Sequence, residues 1–208
     1  MLDPVSCDTT DTLVRGRLFA AVFALCGTVQ LGGAALAWPL RYQRDAILGG
    51  EAWRLLTAHL VHLGWAHWAL NMGGLAVCLL LDTSTIGRQG AVRWGWRFAA
   101  LCGGVGVLLL ALSPRIVSYV GLSGVVYGLF VLALWPRARR GDWIGWAGLV
   151  IVLGRMALQL LVGTSADEEA RIGGRIIAQA HLYGVMTAAA VLAVDALVRS
   201  RRRRVTGA

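Results

Sequence analysis

The residues of this 208-residue chain that suit acid–base or nucleophilic chemistry fall in three places. His59, His62 and His67 lie close together, and Asn71, the sole asparagine, follows His67 by four residues. Ser123 sits in the apolar run Tyr119-Val-Gly-Leu-Ser-Gly-Val-Val-Tyr-Gly128, and His181 sits in Ala178-Gln-Ala-His-Leu-Tyr-Gly184. A serine hydroxyl activated by an imidazole is a hydrolytic nucleophile, and an amide beside it can receive the charge of an oxyanion. Plainer roles stay open for several of these residues. His59 and His62 can be exposed at a membrane interface, and Asn71 can make a helix–helix hydrogen bond. Tyr127, one turn beyond Ser123, can stack on His181 or pack in core or lipid.

Composition says which elements must position these groups. The chain is 57% apolar and only 15% charged, with a mean hydropathy of +0.65. A soluble domain carries about 25% charged residues, so this chain has too little polar surface for a water-soluble globule. The formal charge is +9, and all 20 basic residues are arginine. Cys7, Cys26, Cys78 and Cys102 are widely spaced and form no CxxC or Cys/His ligand pattern, so neither a disulfide framework nor a metal site is expected. No cofactor is expected. The polar start, with Asp3, Asp8 and Asp11, does not read as a signal peptide.

A helix needs about 20 apolar residues to cross roughly 30 Å of hydrocarbon. Six candidate segments emerge: 18–38 stopping at Pro39, 64–81, 94–112, a short one at 122–135 stopping at Pro136, 143–162, and 178–198. With both termini inside, thirteen arginines fall on inner segments and six on outer ones, which favours that orientation. The chain then divides into a cytoplasmic segment 1–17, a membrane domain 18–198 and a basic cytoplasmic tail 199–208. The arginine run of that tail reads as an anchor at anionic lipid headgroups, and no nucleic-acid partner is expected.

The fourth segment is too short to span. From Ser123 to Trp135 is 12 residues, about 18 Å, so Ser123 begins a helix inside the membrane. The chain before it must then be buried in protein or line a wet cavity. His181 is 14 residues, about 21 Å, from Asp195 near the inner interface, and so reaches similar depth. Gly124 and Gly128 form a small-residue face, answered on the sixth segment by Gly184 and Ala188. No carboxylate stands obviously behind His181, so a Ser–His dyad oriented by packing is the economical arrangement. Asn71 and His67 share a helix face, and backbone N–H groups near Ser123 would complete an oxyanion hole.

These residues resemble the rhomboid family of intramembrane serine proteases. Trp53-Arg54 is similar to the family's first-loop Trp-Arg. His62, His67 and Asn71 match its His-x4-His-x3-Asn, Gly121-Leu122-Ser123-Gly124 its GxSG, and Ala180-His181 with Gly184 its catalytic-His helix. The resemblance covers about residues 51–198. It implies an all-α polytopic fold, a six-transmembrane-helix bundle with a short fourth helix. It also implies Ser123 as nucleophile, His181 as base, His67 and Asn71 as oxyanion ligands, and Glu51 and Arg54 as residues that order the first loop. Tyr127 falls where many members place an aromatic beside the histidine. The implied partners are single-span membrane proteins, cut near the outer end of their span, in the lipid bilayer of a bacterial inner membrane. The stretch from Trp53 to Trp68 resembles the rhombosortase branch, whose substrates carry a C-terminal Gly-Gly motif, a span and a basic tail. Two departures concern packing: Asp82 to Arg88 lacks the family's frequent glutamate, and Ala188 stands where a glycine is common.

Two other classes compete with a protease. A haem- or metal-binding electron carrier would use the four histidines, three of which crowd one loop. A non-catalytic protein that grips transmembrane helices would be expected to lack the serine or the histidine. Arg155 lies mid-span and either snorkels outwards or, with Gln159, touches substrate.

Overall fold

The computed structural model describes residues 9–83 and 88–205. Cys7 and most of the turn after Asp82 therefore lie outside the described residues. In chain order the elements are α1 (Thr9–Leu31), α2 (Gly33–Leu40), β1 (Tyr42–Gln43), α3 (Arg44–Leu48), α4 (Arg54–Thr57) and a 3-10 turn (Ala58–Leu60). They continue as α5 (Trp65–Leu81), α6 (Arg88–Leu112), β2 (Ser118–Tyr119), α7 (Ser123–Ala138), α8 (Trp143–Leu161), α9 (Ala166–Ile172) and α10 (Ala178–Val205). The protein is an all-α, multi-pass membrane bundle. Within α1, α6, α8 and α10 lie stretches long and apolar enough to cross a bilayer. With 17 residues, α5 reaches the lower limit for a span. It follows the α4 turn across a 97° bend.

Helix α7 is the hub, packing against α5, α6, α8 and α10. Its 16 residues give roughly 24 Å, less than the hydrocarbon thickness. It begins at Ser123, one residue after the start expected from the sequence at Leu122.

Several boundaries differ from the sequence reading. The first span was expected as one helix ending at Pro39. It breaks instead at Gly32, and Gly33 adopts φ +54°, a left-handed conformation open to glycine. Pro39 then sits inside α2. Pro136 was expected to stop the fourth helix, yet α7 runs two residues further. A proline this near the C-terminus removes only one late hydrogen bond. At the termini, helix begins at Thr9 rather than near Leu18, and α10 carries through the arginine run to Val205.

The end of the bundle that holds the α2–α5 connection is fixed by Arg54. Arg54 is 6% exposed. It donates to Glu51 at 2.6 Å and to the carbonyls of Trp38 (2.8 Å) and Arg41 (2.9 Å). Those carbonyls end α2 and have no helical partner of their own, so a guanidinium satisfies several at once. The Thr57 hydroxyl adds a bond to the Leu40 carbonyl at 2.7 Å. At the opposite end, Arg15 and Arg137 donate to the carbonyls of Leu79 and Leu81, the last residues of α5. Arg97 of α6 pairs with Asp195 of α10.

Replacing Arg54 with methionine keeps the apolar stem and removes the donors. Arg54→Met is expected to cost about 2 kcal/mol, the worth of hydrogen bonds from a buried charged group. Thermal unfolding of the purified protein in detergent measures it, and an unchanged midpoint would refute the role of Arg54 as the clasp of this loop.

Candidate active site

The crossing of α7 and α10 brings the two most suspect residues together. A Cβ on Gly124 would stand 2.6 Å from the Ala180 carbonyl oxygen, and one on Gly128 would stand 2.8 Å from that of Gly184. A Cβ on Gly184 would meet the Gly124 oxygen at 1.8 Å. Only backbones without side chains approach this closely. Ala188, four residues beyond Gly184, is fully buried. At this crossing Ser123 Oγ lies 2.9 Å from His181 Nε2. Tyr127 stacks on the imidazole, with ring centroids 4.2 Å apart and planes 11° from parallel.

The other face of the imidazole's hydrogen bonding was not read from the sequence. His181 Nδ1 lies 2.8 Å from Oε1 of Gln159 on α8. Gln159 is 6% exposed. Its signal was available: an amide inside a span needs a partner. Its neighbour Arg155, four residues earlier, turns toward α9 and pairs with Glu168. Besides pairing with Glu168, Arg155 lines the site cavity.

That cavity has a volume of about 360 Å³ and is walled by His67, Asn71, Ser123, Tyr127, Arg155 and His181 among others. His67 accepts the Leu63 N–H at Nδ1 over 3.3 Å. A neutral imidazole that accepts at Nδ1 carries its proton on Nε2. That side of the ring faces Gly121, where a Cβ would come within 2.6 Å of His67 Cε1 and 2.9 Å of Nε2. Gly121 also adopts φ +123°. The first glycine of the GLSG sequence is thus required twice, by backbone conformation and by the histidine ring. Asn71 donates one N–H to the His67 carbonyl at 3.0 Å, and the amide has a second hydrogen. Ser123 is the first residue of α7, so the N–H groups of its first turn have no helical acceptor.

His59 and His62 turn away from chemistry in different manners. His59 is fully buried, not interfacial, and its ring nitrogens lie 3.2 Å and 3.0 Å from the carbonyl oxygens of Gly121 and Cys102. It braces the backbone just before Ser123. His62 is also buried, packed edge-on against His67 with ring centroids 5.2 Å apart, and neither of its ring nitrogens has a protein partner. Tyr119, passed over as a site residue, donates to the Gly121 carbonyl at 2.6 Å and lies against Ser123 and Gly124. Among the described residues, no three His, Cys, Asp or Glu side chains converge as metal ligands.

Near the site, α9 is held by its own polar groups. The Ser165 side chain caps its first turn by accepting from the Glu168 N–H. Glu169 accepts from the Thr164 hydroxyl at 2.7 Å and the Ile176 N–H at 3.1 Å. These two donors hold the Glu169 carboxyl below the usual carboxylate range.

The comparisons with known proteins agree with this architecture. A family model described as the Rhomboid domain matches residues 49–197. The chain belongs to the rhomboid family. It is also 27% identical over 152 residues to the Bacillus subtilis protein named "Putative rhomboid protease YdcA", covering 68% of this chain and 70% of that protein.

Substituting Gly121 tests how tightly the loop before α7 is specified. Gly121→Ala should lose about 2 kcal/mol or more, through strained φ and the clash with His67. Gly141 also has positive φ but open space around it, so Gly141→Ala should lose only about 1 kcal/mol. Equal unfolding midpoints for the two variants would show that the His67 contact imposes no constraint.

Proposed function

We propose that the protein is an intramembrane serine endopeptidase acting through a dyad of Ser123 and His181. The single observation that carries this reading is the 2.9 Å contact between Ser123 Oγ and His181 Nε2 on the wall of a cavity in a rhomboid-family bundle. His181 Nε2 accepts the Ser123 hydroxyl proton as Oγ attacks the scissile carbonyl carbon. Negative charge then develops on the carbonyl oxygen. His67 Nε2–H, the second Asn71 N–H and the Ser123 backbone N–H are the donors on hand to receive it. The protonated His181 gives its proton to the leaving amine, which departs. Water, deprotonated by His181, hydrolyses the acyl-enzyme.

The substrates are single-span membrane proteins, cut near the outer end of the span where small residues weaken the helix. The arginine distribution supports an inner-membrane protein with both termini in the cytoplasm, residues 18–198 as its membrane domain, and a site opening to the outer side. The sequence from Trp53 to Trp68 supports the rhombosortase branch, and with it substrates bearing a C-terminal Gly-Gly motif, a span and a basic tail. Glu51 and Arg54 order the loop that leads to the site.

Three measurements test the proposal. Ser123→Ala should abolish labelling by a serine-directed fluorophosphonate, and Asn71→Ala should lower the turnover of a membrane-embedded peptide by about 100-fold. Labelling that survives in Ser123→Ala would overturn the nucleophile assignment. Mass spectrometry of membrane and secreted proteins, compared between cells carrying the active and the Ser123→Ala forms, should find new C-termini that depend on Ser123. Their position relative to a Gly-Gly motif decides the branch.

A further inference from the structure

We infer that Gln159 is a positioning residue for His181, the third member of a Ser–His–Gln relay built wholly from uncharged side chains. The inference rests on the reading of Ser123 and His181 as the dyad. Three observations support it. Gln159 Oε1 lies 2.8 Å from His181 Nδ1, on the opposite side of the ring from Ser123. Both residues are buried, at 6% and 5% exposure, so neither contact is exchanged freely for water. Gln159 is also the only described buried residue in the half of α8 nearer the site, the others being Gly145 and Leu149. Its side chain is turned inward where apolar neighbours on α8 are not.

The chemistry needs an acceptor at Nδ1. Before proton transfer, Nε2 must offer a lone pair to the Ser123 hydroxyl, so the ring proton belongs on Nδ1. Once Nε2 takes the proton, both ring nitrogens are donors, and Nδ1–H still requires an acceptor. The Gln159 carbonyl oxygen serves both states without moving. A flipped amide, presenting its NH2, would face a donor as soon as the imidazolium formed. In soluble triads a carboxylate fills this place. Within a bilayer an ionised carboxylate is costly to bury, whereas a neutral amide accepts the same bond at far smaller desolvation cost. The groups facing His181 are Ser123 and Tyr127 from α7, Gln159 and Arg155 from α8, and His67 from α5, with Glu168 of α9 held on Arg155. Among these, Gln159 is the group at hydrogen-bond distance from Nδ1.

The test is the pH dependence of Ser123 labelling by a fluorophosphonate in the full-length protein, for the wild type, Gln159→Met and Gln159→Glu. Methionine keeps the length and apolar volume of the side chain but offers no oxygen to Nδ1. Its labelling rate should fall about tenfold, the worth of one hydrogen bond to a charged group, and its acid limb should move to lower pH. Glutamate restores the acceptor and adds charge, so labelling should recover and the acid limb should move to higher pH. A packing role would not displace the limb in opposite directions. Acid limbs that coincide in all three proteins, or a Gln159→Met rate within twofold of wild type, would overturn the inference. If either variant fails to fold, ¹⁵N-histidine NMR of the wild type decides: a proton on His181 Nδ1 supports the relay, and a neutral ring protonated only on Nε2 overturns it. Failure of the dyad itself is distinguishable, because then wild type would not label or Ser123→Ala would.

Discussion

The closest constraint in the molecule is the contact of α7 and α10 through Gly124, Gly128 and Gly184. A methyl group at any of the three would collide with a carbonyl of the facing helix. In lipid there is no hydrophobic gain from bringing apolar helices together, so association depends on packing and on close backbone approach. This crossing sets the separation of the helices, and thereby puts a serine and a histidine from distant parts of the chain at hydrogen-bond distance. The site is a consequence of that backbone contact. Tyr127 and Gln159 then fix the ring in rotation, one from its face and one from its edge.

A short central helix creates a second obligation. Because α7 begins inside the bundle, the chain from Ser113 to Leu122 must find partners without help from a helix of its own. It finds them in pieces of protein brought from elsewhere. Tyr119 and Ser118 pair with Tyr42 and Gln43 as a two-stranded ladder. The Ala58 carbonyl accepts from Gly121, the Ser113 and Tyr183 hydroxyls bond at 2.8 Å, and His59 lies against the Gly121 carbonyl. The connection fastened by Arg54 therefore reaches into the site. Its 3-10 turn supplies both the Ala58 carbonyl and His59, and these hold the backbone that presents Ser123.

This division explains what could be read from the sequence. The start of the fourth helix within a residue of Ser123, the shared depth of Ser123 and His181 and the small-residue face of α7 all follow from rise per residue and residue size, which are local properties. Gln159 was invisible as a partner of His181 because that contact depends on the rotation of α8 about its axis, which an apolar helix with few polar landmarks does not encode. An interfacial place stayed open for His59 because its segment looked like a loop at the surface. The loop instead folds under α6 and buries the ring between two carbonyls, a tertiary outcome no periodicity announces. The glycine break at Gly32 was missed for a related reason. A Gly-Gly pair inside an apolar run is compatible with a continuous helix until neighbouring elements choose the bend.

Charge is handled differently at the site and at the rim. The +9 formal charge of the chain belongs largely to arginines outside the cavity. Several of them, such as Arg15, Arg54 and Arg137, are spent on helix C-terminal carbonyls. Two arginines line the cavity, Arg155 and Arg175, and Arg155 is paired with Glu168. The polar groups of the site itself (Ser123, His181, His67 and Asn71 on the cavity, Gln159 behind His181) carry no permanent charge. In a low-dielectric bundle an unpaired ion would cost more than such a small fold can recover, whereas neutral dipoles can be buried once hydrogen-bonded. Fixed neutral donors and acceptors also need no reorganisation when charge appears transiently between them, and their effect is strongest where water is scarce. The apolar composition that makes the chain a membrane protein thus also selects the kind of polar site it can hold.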